Sequence, residues 1–414
     1  MTAPRILAIA YVCMPDVGSE PGTGFAWARI LGGIGETWIL TRPWPARRAD
    51  LDQAIAAAPE GRSIHLVYVE APRWIASVDW DPFRRGHQRL EYLLWQLAAI
   101  RTARRIARQE EIDLVWHLTF ANVWMGSIGG LVGRPFILGP VGGGVGPAWR
   151  LATGFGVRGL AYEVLRSAIR TTSRHLNPLA RLAWSRASLI LAQNDETVRW
   201  LPRSVRPRVE IFHHVALDEP PPHLARVRSP DSPPVAIFAG RLLAWKGAAL
   251  GLKAIARLPG WRYIIAGDGP QVPRLKELAV TLGIADRIEF RGWVERDAVL
   301  RAMVEEADVL LFPSVHEEGG WVVGEALAAG LPVVCLDRGG PPLVGGRPVK
   351  VGTERDTVSR LARAAEEAVA DPTPLPAPPW LAARRVALIE LLRRRGLLTA
   401  PDDGPASAAD RGSE

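Results

Sequence analysis

Short apolar runs alternate with amphipathic stretches along most of the chain. In the first half the runs are 6–12, 37–40, 64–69, 114–116, 189–192 and 209–212. In the second half they are 235–239, 263–266, 288–290, 309–312 and 333–336. They are mostly apolar end to end rather than alternating, which predicts strands buried on both faces of a parallel sheet. The stretches between them then serve as crossover helices. Helices are expected from near Phe25, over about 84–109, through the arginine-rich 160–186 and from Asp195. In the second half they end near Leu258 and Leu282, cover 299–307 and 321–329, and finish with 380–395 before Gly396. The proline-rich, aperiodic segment 218–234 predicts a linker, and DPTPLPAPP at 371–379 a second break. The fold class is therefore α/β, with Rossmann-like domains at 1–217 and 218–375. A helix within 376–400 is expected to return to the first domain, ahead of a disordered tail, 401–414.

The expected helix 84–109 has two unlike faces. At 100° per residue, Tyr92, Trp95, Ala99, Ala103 and Ile106 form a core face. Leu90, Leu93, Leu94 and Leu97 lie opposite, continued by Arg101, Arg104, Arg105 and Arg108. Such a face suits an anionic lipid surface. Packing of the leucines on a neighbouring helix, with the arginines solvated, fits the pattern equally.

Composition narrows the class. The chain has 414 residues, 48% hydrophobic and 23% charged, enough for two or three globular domains. Cys13 and Cys335 are its two cysteines, far apart, in apolar runs and without metal spacing. Neither a disulfide framework nor a thiolate metal site is expected, and a reducing, cytoplasmic location fits. A formal net charge of +8 favours nucleotide, phosphate or lipid partners. No apolar run is long enough to span a bilayer, so membrane contact is expected only as peripheral contact with the inner face. Clustered aromatic and basic residues of the nucleic-acid-binding kind are absent from the sequence, so no nucleic acid is expected.

The densest chemistry lies in 312–342, FPSVHEEGGWVVGEALAAGLPVVCLDRGGPP. A strand ends in Pro313-Ser314 and leads through Glu317-Glu318 and Gly319-Gly320 to a helix from Trp321, with Glu325 inside it. In such a unit ligands bind at the carboxyl ends of the strands, and free N–H groups at the helix start hold phosphate. Gly240-Arg241 and Lys246-Gly247 share another strand-end loop. In the first half, Gly24 closes a glycine-rich loop and His117 follows a strand directly. The stretch 126–159, containing ILGPVGGGVGPAW, is a loop able to close over a ligand. Taken singly, each feature has a plain structural explanation: a tight turn, a structural histidine, a solvated charge, or an acid favoured by a helix dipole.

Together they say more. Glu317 and Glu325, with seven residues between them, resemble the EX7E motif of the family 4 glycosyltransferases. These are retaining enzymes of the GT-B fold, two Rossmann-like domains facing across a cleft, that use nucleotide sugars. Arg241 and Lys246 match that family's GR-x4-KG pattern, and His117-Leu118-Thr119 before GPVGGG is similar to a subset of it. The resemblance implies that Arg241 and Lys246 bind the diphosphate, Glu317 faces the donor sugar and Glu325 holds the ribose. It places Gly319, Gly320 and Trp321 at the phosphates or sugar, Gly292 near the base and Gly24 in the first-domain donor loop. His117 would face the sugar across the cleft as a catalytic residue. The implied co-substrate is a nucleotide sugar, with no cofactor and no metal; Asp79-Trp80-Asp81 is only a weak Asp-x-Asp in a loop. The implied acceptor is lipid-linked or a saccharide, in surface polysaccharide or glycolipid biosynthesis. Two departures leave donor and acceptor open: DRGGPPLVGG after Leu336 lacks the acid common at that point, and the first glycine loop reads SEPGTG. An epimerase or phosphorylase of the same fold is the rival enzyme. An inactive sugar-nucleotide-binding protein is the other rival, and intact Arg241, Lys246, Glu317 and Glu325 count against it.

Overall fold

Two fully parallel sheets organise the chain. The computed structural model describes residues 3–15, 17–18, 20–77, 85–218, 232–371, 373 and 375–398. Most of the expected linker, Asp79-Trp80-Asp81 and the expected tail 401–414 lie outside the described residues. The first sheet contains β1 (Arg5–Ala10), β2 (Glu36–Thr41), β3 (Ile64–Tyr68), β4 (Leu114–Thr119), β5 (Phe136–Val141), β6 (Leu189–Ala192) and β7 (Val209–Ile211). Its spatial order is β3-β2-β1-β4-β5-β6-β7. The second contains β8 (Val235–Ala239), β9 (Arg262–Ala266), β10 (Ile288–Gly292), β11 (Val309–Phe312), β12 (Val333–Leu336) and β13 (Arg347–Val349), in the order β10-β9-β8-β11-β12-β13. Strand order reverses between β1 and β4 and again between β8 and β11. Crossovers leave such points in opposite directions, so a crevice opens at the strand ends. The apolar runs form these strands because helices cover both faces. Every residue of β4, β5, β6, β8, β11 and β12 is buried.

The helix Arg85–Gln109 buries Tyr92, Trp95, Ala99, Ala103 and Ile106, the face its wheel selects. On the other side Leu90 and Leu97 are exposed, Leu93 packs partly against the core, and Arg104 donates to Leu131 O at 3.0 Å.

Four elements depart from the sequence pattern. The first helix starts at Glu20, not near Phe25. Its glycines serve backbone packing: a Cβ on Gly24 would lie 2.2 Å from Val12 O, and one on Gly22 2.0 Å from Val17 O. The supposed loop 126–159 contains β5, a central strand. Gly139-Pro140 disguises it, yet Gly139 has φ 123° and a Cβ there would meet Leu191 O at 2.3 Å. Helix Glu354–Ala370 and strand β13 were not anticipated; Thr353 caps that helix through Asp356 N–H at 3.3 Å.

The last helix, Leu381–Arg394, packs on the first domain. Leu381, Leu388, Leu391 and Leu392 share a core with Trp27, Ile30 and Trp116. Leu217 N–H donates to Pro379 O at 2.9 Å and Leu381 N–H to Leu217 O at 2.7 Å, so the two interdomain crossings lie side by side. Arg385 pairs with Glu60, and Arg384 sits 3.7 Å over the Phe212 ring. Leu388 is fully buried and Val386 is 57% exposed. Leu388→Ala is expected to lower stability by about 2–4 kcal/mol, and Val386→Ala by less than about 0.5 kcal/mol. Urea unfolding of the two variants measures the contrast.

Candidate functional site

Two loops flank the switch point of the second sheet. The loop after β8 carries Gly240, half-buried Arg241 and a short turn, Ala244–Lys246. The loop after β11 carries Ser314, His316, Glu317 and Glu318. They interlock through backbone: Val315 N–H donates to Trp245 O at 2.8 Å. Gly247, at φ 79°, lies where a Cβ would be 2.0 Å from Pro313 O. This close seating brings Lys246 against Glu317 as an ion pair, each side chain less than a fifth exposed.

Glu317 leads into Gly319 and Gly320. A Cβ on Gly319 would strike the His214 imidazole, 2.0 Å away at Cε1. Gly320, at φ 102°, starts helix Trp321–Ala328 with no side-chain cap. Val323 and Gly324 N–H donate to Gly320 O at 3.0 and 3.4 Å, which leaves the N–H groups of Trp321 and Val322 to face an anion at the sheet's crevice. The Trp321 indole N–H donates to Thr23 Oγ1 at 3.0 Å, reaching the first domain's first helix. Further along the helix, Glu325 is held by Arg296, Nε to Oε1 at 2.7 Å. Arg296 opens the helix that follows β10, and Gly292, at φ 67°, ends that strand with its carbonyl accepting from Gly267 N–H at 2.7 Å.

The first domain meets these loops mainly at Glu318. Asn194 Nδ2 donates to Glu318 Oε2 at 2.9 Å and to its carbonyl at 3.0 Å. Val145 N–H donates to Oε1 at 3.2 Å. Arg166 lies 3.9 Å from Oε1 and also donates to Val145 O at 2.6 Å. Burial alone would raise the Glu318 pKa. The His316 ring, the Asn194 amide and the Gly143 N–H overcome it and hold the carboxylate down at about 2. The triple-glycine loop is shaped to this acid, since a Cβ on Gly142 would lie 2.7 Å from Glu318 Cβ. Glu196 Oε1 accepts from Gly339 N–H at 3.1 Å, a second clasp between the domains.

Lys246, Glu317, Gly319, Gly320 and Trp321 are thus gathered at one crevice, with Arg241 in the same loop as Lys246 and Glu325 behind them. His117 stands apart. It is fully buried, and its Nε2 is 2.8 Å from Phe120 O. A carbonyl only accepts, so Nε2 carries the proton and Nδ1 holds a lone pair that finds no donor. Burial pushes its pKa down to about 4, so it is neutral at physiological pH. No hydrogen bond or ion pair among the described residues joins it to the second domain. Gly24 backs onto Val12 O, inside the first domain. Sequence reasoning missed Glu318, Asn194, Arg296 and His214. Glu318 had a signal, being the second acid of a pair of which the motif uses one. Asn194 had one too, as a helix-capping residue at a strand end. Among the described residues no cluster of three or more His, Cys, Asp or Glu is arranged to hold a metal. No helix of the described residues is long and apolar enough to cross a membrane.

Residues 222–377 match the family described as glycosyl transferases group 1. The match takes in most of the second domain. The chain is similar to 2-deoxystreptamine N-acetyl-D-glucosaminyltransferase of Streptomyces fradiae, 32% identical over 228 residues, 51% of this chain and 54% of that protein. It is also similar to the lipopolysaccharide core biosynthesis glycosyltransferase LpsE of Rhizobium meliloti, 34% identical over 152 residues, 36% and 43% of the two chains. The matched region thus spans about half or less of these curated relatives. Among solved structures, Anabaena HepE in complex with UDP superposes with a TM-score of 0.55 at 16% identity, covering 94% of this chain and 100% of that one. The two domains together have the GT-B architecture.

Ionised Glu318 is bound more firmly in the folded chain than its ordinary pKa allows. Its stabilisation is therefore complete above the ordinary carboxylate range and fades as pH falls toward 2. Glu318→Gln is expected to cost about 1–3 kcal/mol near neutral pH, because donors aimed at a carboxylate then face an amide. The gap between variant and wild type should close between about pH 5 and pH 2. Melting temperatures across that range measure it.

Proposed function

We propose that the protein is a retaining glycosyltransferase that moves a sugar from a nucleotide sugar to an acceptor hydroxyl. The observation that carries this is the Lys246–Glu317 pair beside the uncapped glycine start of helix Trp321–Ala328, at the strand-order switch of a domain that matches the group 1 glycosyl transferases. A diphosphate leaving group gains charge as the glycosidic bond breaks, and fixed donors aimed at it lower the barrier. Lys246 and Arg241 are the cations for that task, and the helix start adds N–H donors. When the diphosphate takes Lys246, Glu317 is released from its ion pair and becomes an acceptor for sugar hydroxyls. Glu325, partnered by Arg296 in this conformation, accepts from the ribose hydroxyls. Attack comes from the same face as departure, with the leaving phosphate taking the acceptor proton. With Arg241 and Lys246 to meet the diphosphate's charge, this reading calls for no metal. UDP in the HepE crystal structure supports a nucleoside-diphosphate donor. The LpsE likeness supports a glycoconjugate acceptor, lipid-linked or saccharide.

Lys246→Ala is expected to lose about 2–4 kcal/mol of transition-state stabilisation. Activity should survive chelation of divalent ions. Glu325→Ala should weaken binding of the free nucleotide, while Glu317→Ala should spare it and lower turnover by roughly a hundredfold. The role of His117 rests on the sequence resemblance. A normal kcat in His117→Ala would leave it as the residue that ties the end of β4 to Phe120 O. Calorimetry with nucleotides and steady-state kinetics across a panel of nucleotide sugars provide the readouts. Wild-type turnover in Lys246→Ala, or strict metal dependence, would overturn the proposal.

A further inference from the structure

The helix Gly156–Leu176 is built inside out. Beyond its first turn its central charges point inward: Glu163 and Arg166 are buried and paired at 2.7 Å, and Arg170 donates to Gly144 O at 3.0 Å. Its apolar side chains point outward. Val157, Leu160, Val164, Leu165, Ile169 and Leu176 are 40–87% exposed. Surface helices of globular proteins have the opposite arrangement. Scattered apolar residues on a surface are ordinary, but a continuous apolar face marks an interaction site.

The surrounding charge says what covers it. From 148 to 194 the sequence holds seven arginines and one acid, Glu163, which is already paired inside. Arg150 and Arg158 are exposed at one end of the face and Arg181 near the other. Trp149, 51% exposed, stands beside Arg150, and indoles favour the boundary between apolar and aqueous layers. Along the helix edge a cleft of about 330 Å³ is lined by Arg170, Arg174, Arg199 and Glu196, and is net basic. An apolar band rimmed by cations matches an anionic bilayer surface, with acyl chains beneath phosphate headgroups. A second copy of this chain fits less well, because a two-fold contact would set Arg150, Arg158 and Arg181 against their own copies, and residues 148–194 offer no acid besides the paired Glu163 to answer them.

We infer that helix Gly156–Leu176 docks the protein on an anionic bilayer, with its apolar face in the acyl boundary and its arginines on lipid phosphates. Tyr162 of this helix stacks on Trp245 at 4.2 Å, one residue before Lys246, so docking sets the mouth of the crevice at the lipid surface. The docking itself does not depend on the glycosyltransferase proposal.

The test is co-sedimentation of the full chain with phosphatidylcholine vesicles, with and without phosphatidylglycerol, at low and high salt. Binding is expected only with phosphatidylglycerol present, and weaker at high salt. The triple variant Val164→Ser, Leu165→Ser, Ile169→Ser should bind roughly tenfold less or weaker, with an unchanged unfolding transition. Its donor hydrolysis without lipid should match wild type, which separates failure of docking from failure of the chemistry. No binding by wild type, or equal binding by the triple variant, overturns the inference. So does a loss seen only in Leu97→Ser, which would move the contact to helix Arg85–Gln109. A dimer in sedimentation velocity that the triple variant breaks would assign the face to a second copy instead.

Discussion

A carboxylate drawn largely out of water needs fixed partners, and Glu318, its side chain 21% exposed, finds them on both domains. Its chain belongs to the loop after β11. Its hydrogen bonds come largely from the first domain, through Asn194 and the Val145 N–H. Much of the neighbouring structure follows from this. The loop after β5 has to be glycine where it touches the acid, and Arg166 has to turn inward to balance the charge. Once Arg166 and Arg170 face inward, the outer side of their helix is left to apolar residues. The depressed pKa of Glu318 reflects the hydrogen bonds and charge of His316, Asn194 and Gly143 prevailing over burial.

The architecture was legible because parallel strands covered on both faces leave unbroken apolar runs, and no other common element leaves so many at this rhythm. β5 was not legible because Gly139 and Pro140 read locally as a turn. Only the approach of Leu191 O explains a glycine there, and β6 lies some fifty residues later in the chain. The first helix failed for a related reason. Its glycines are small to admit the backbone of β1's loop, a requirement that local sequence does not express.

In the candidate site, the loops after β8 and β11 were legible because each keeps its chemistry within one strand-to-helix turn. The groups that came only with the structure, Glu318, Asn194, Arg296 and His214, act across elements. Arg296 and Glu325 are twenty-nine residues apart in sequence yet 2.7 Å apart in space. Nothing in the neighbourhood of either residue announces the other. The arginine-rich 160–186 reads as helical in the sequence, but a wheel shows which residues share a face and not which face is inward.

The paired crossings at Leu217 and Trp380 bear on how the two halves can move. A single covalent tether would let one body swivel freely about the other. Two tethers joined by hydrogen bonds behave as a strap hinge: bending across the strap is easy, while twisting it or sliding along it strains both strands together. A swing about that strap is the motion it resists least, and any such swing that parts the halves has to break the hydrogen bonds of Glu318 to Asn194 and Val145.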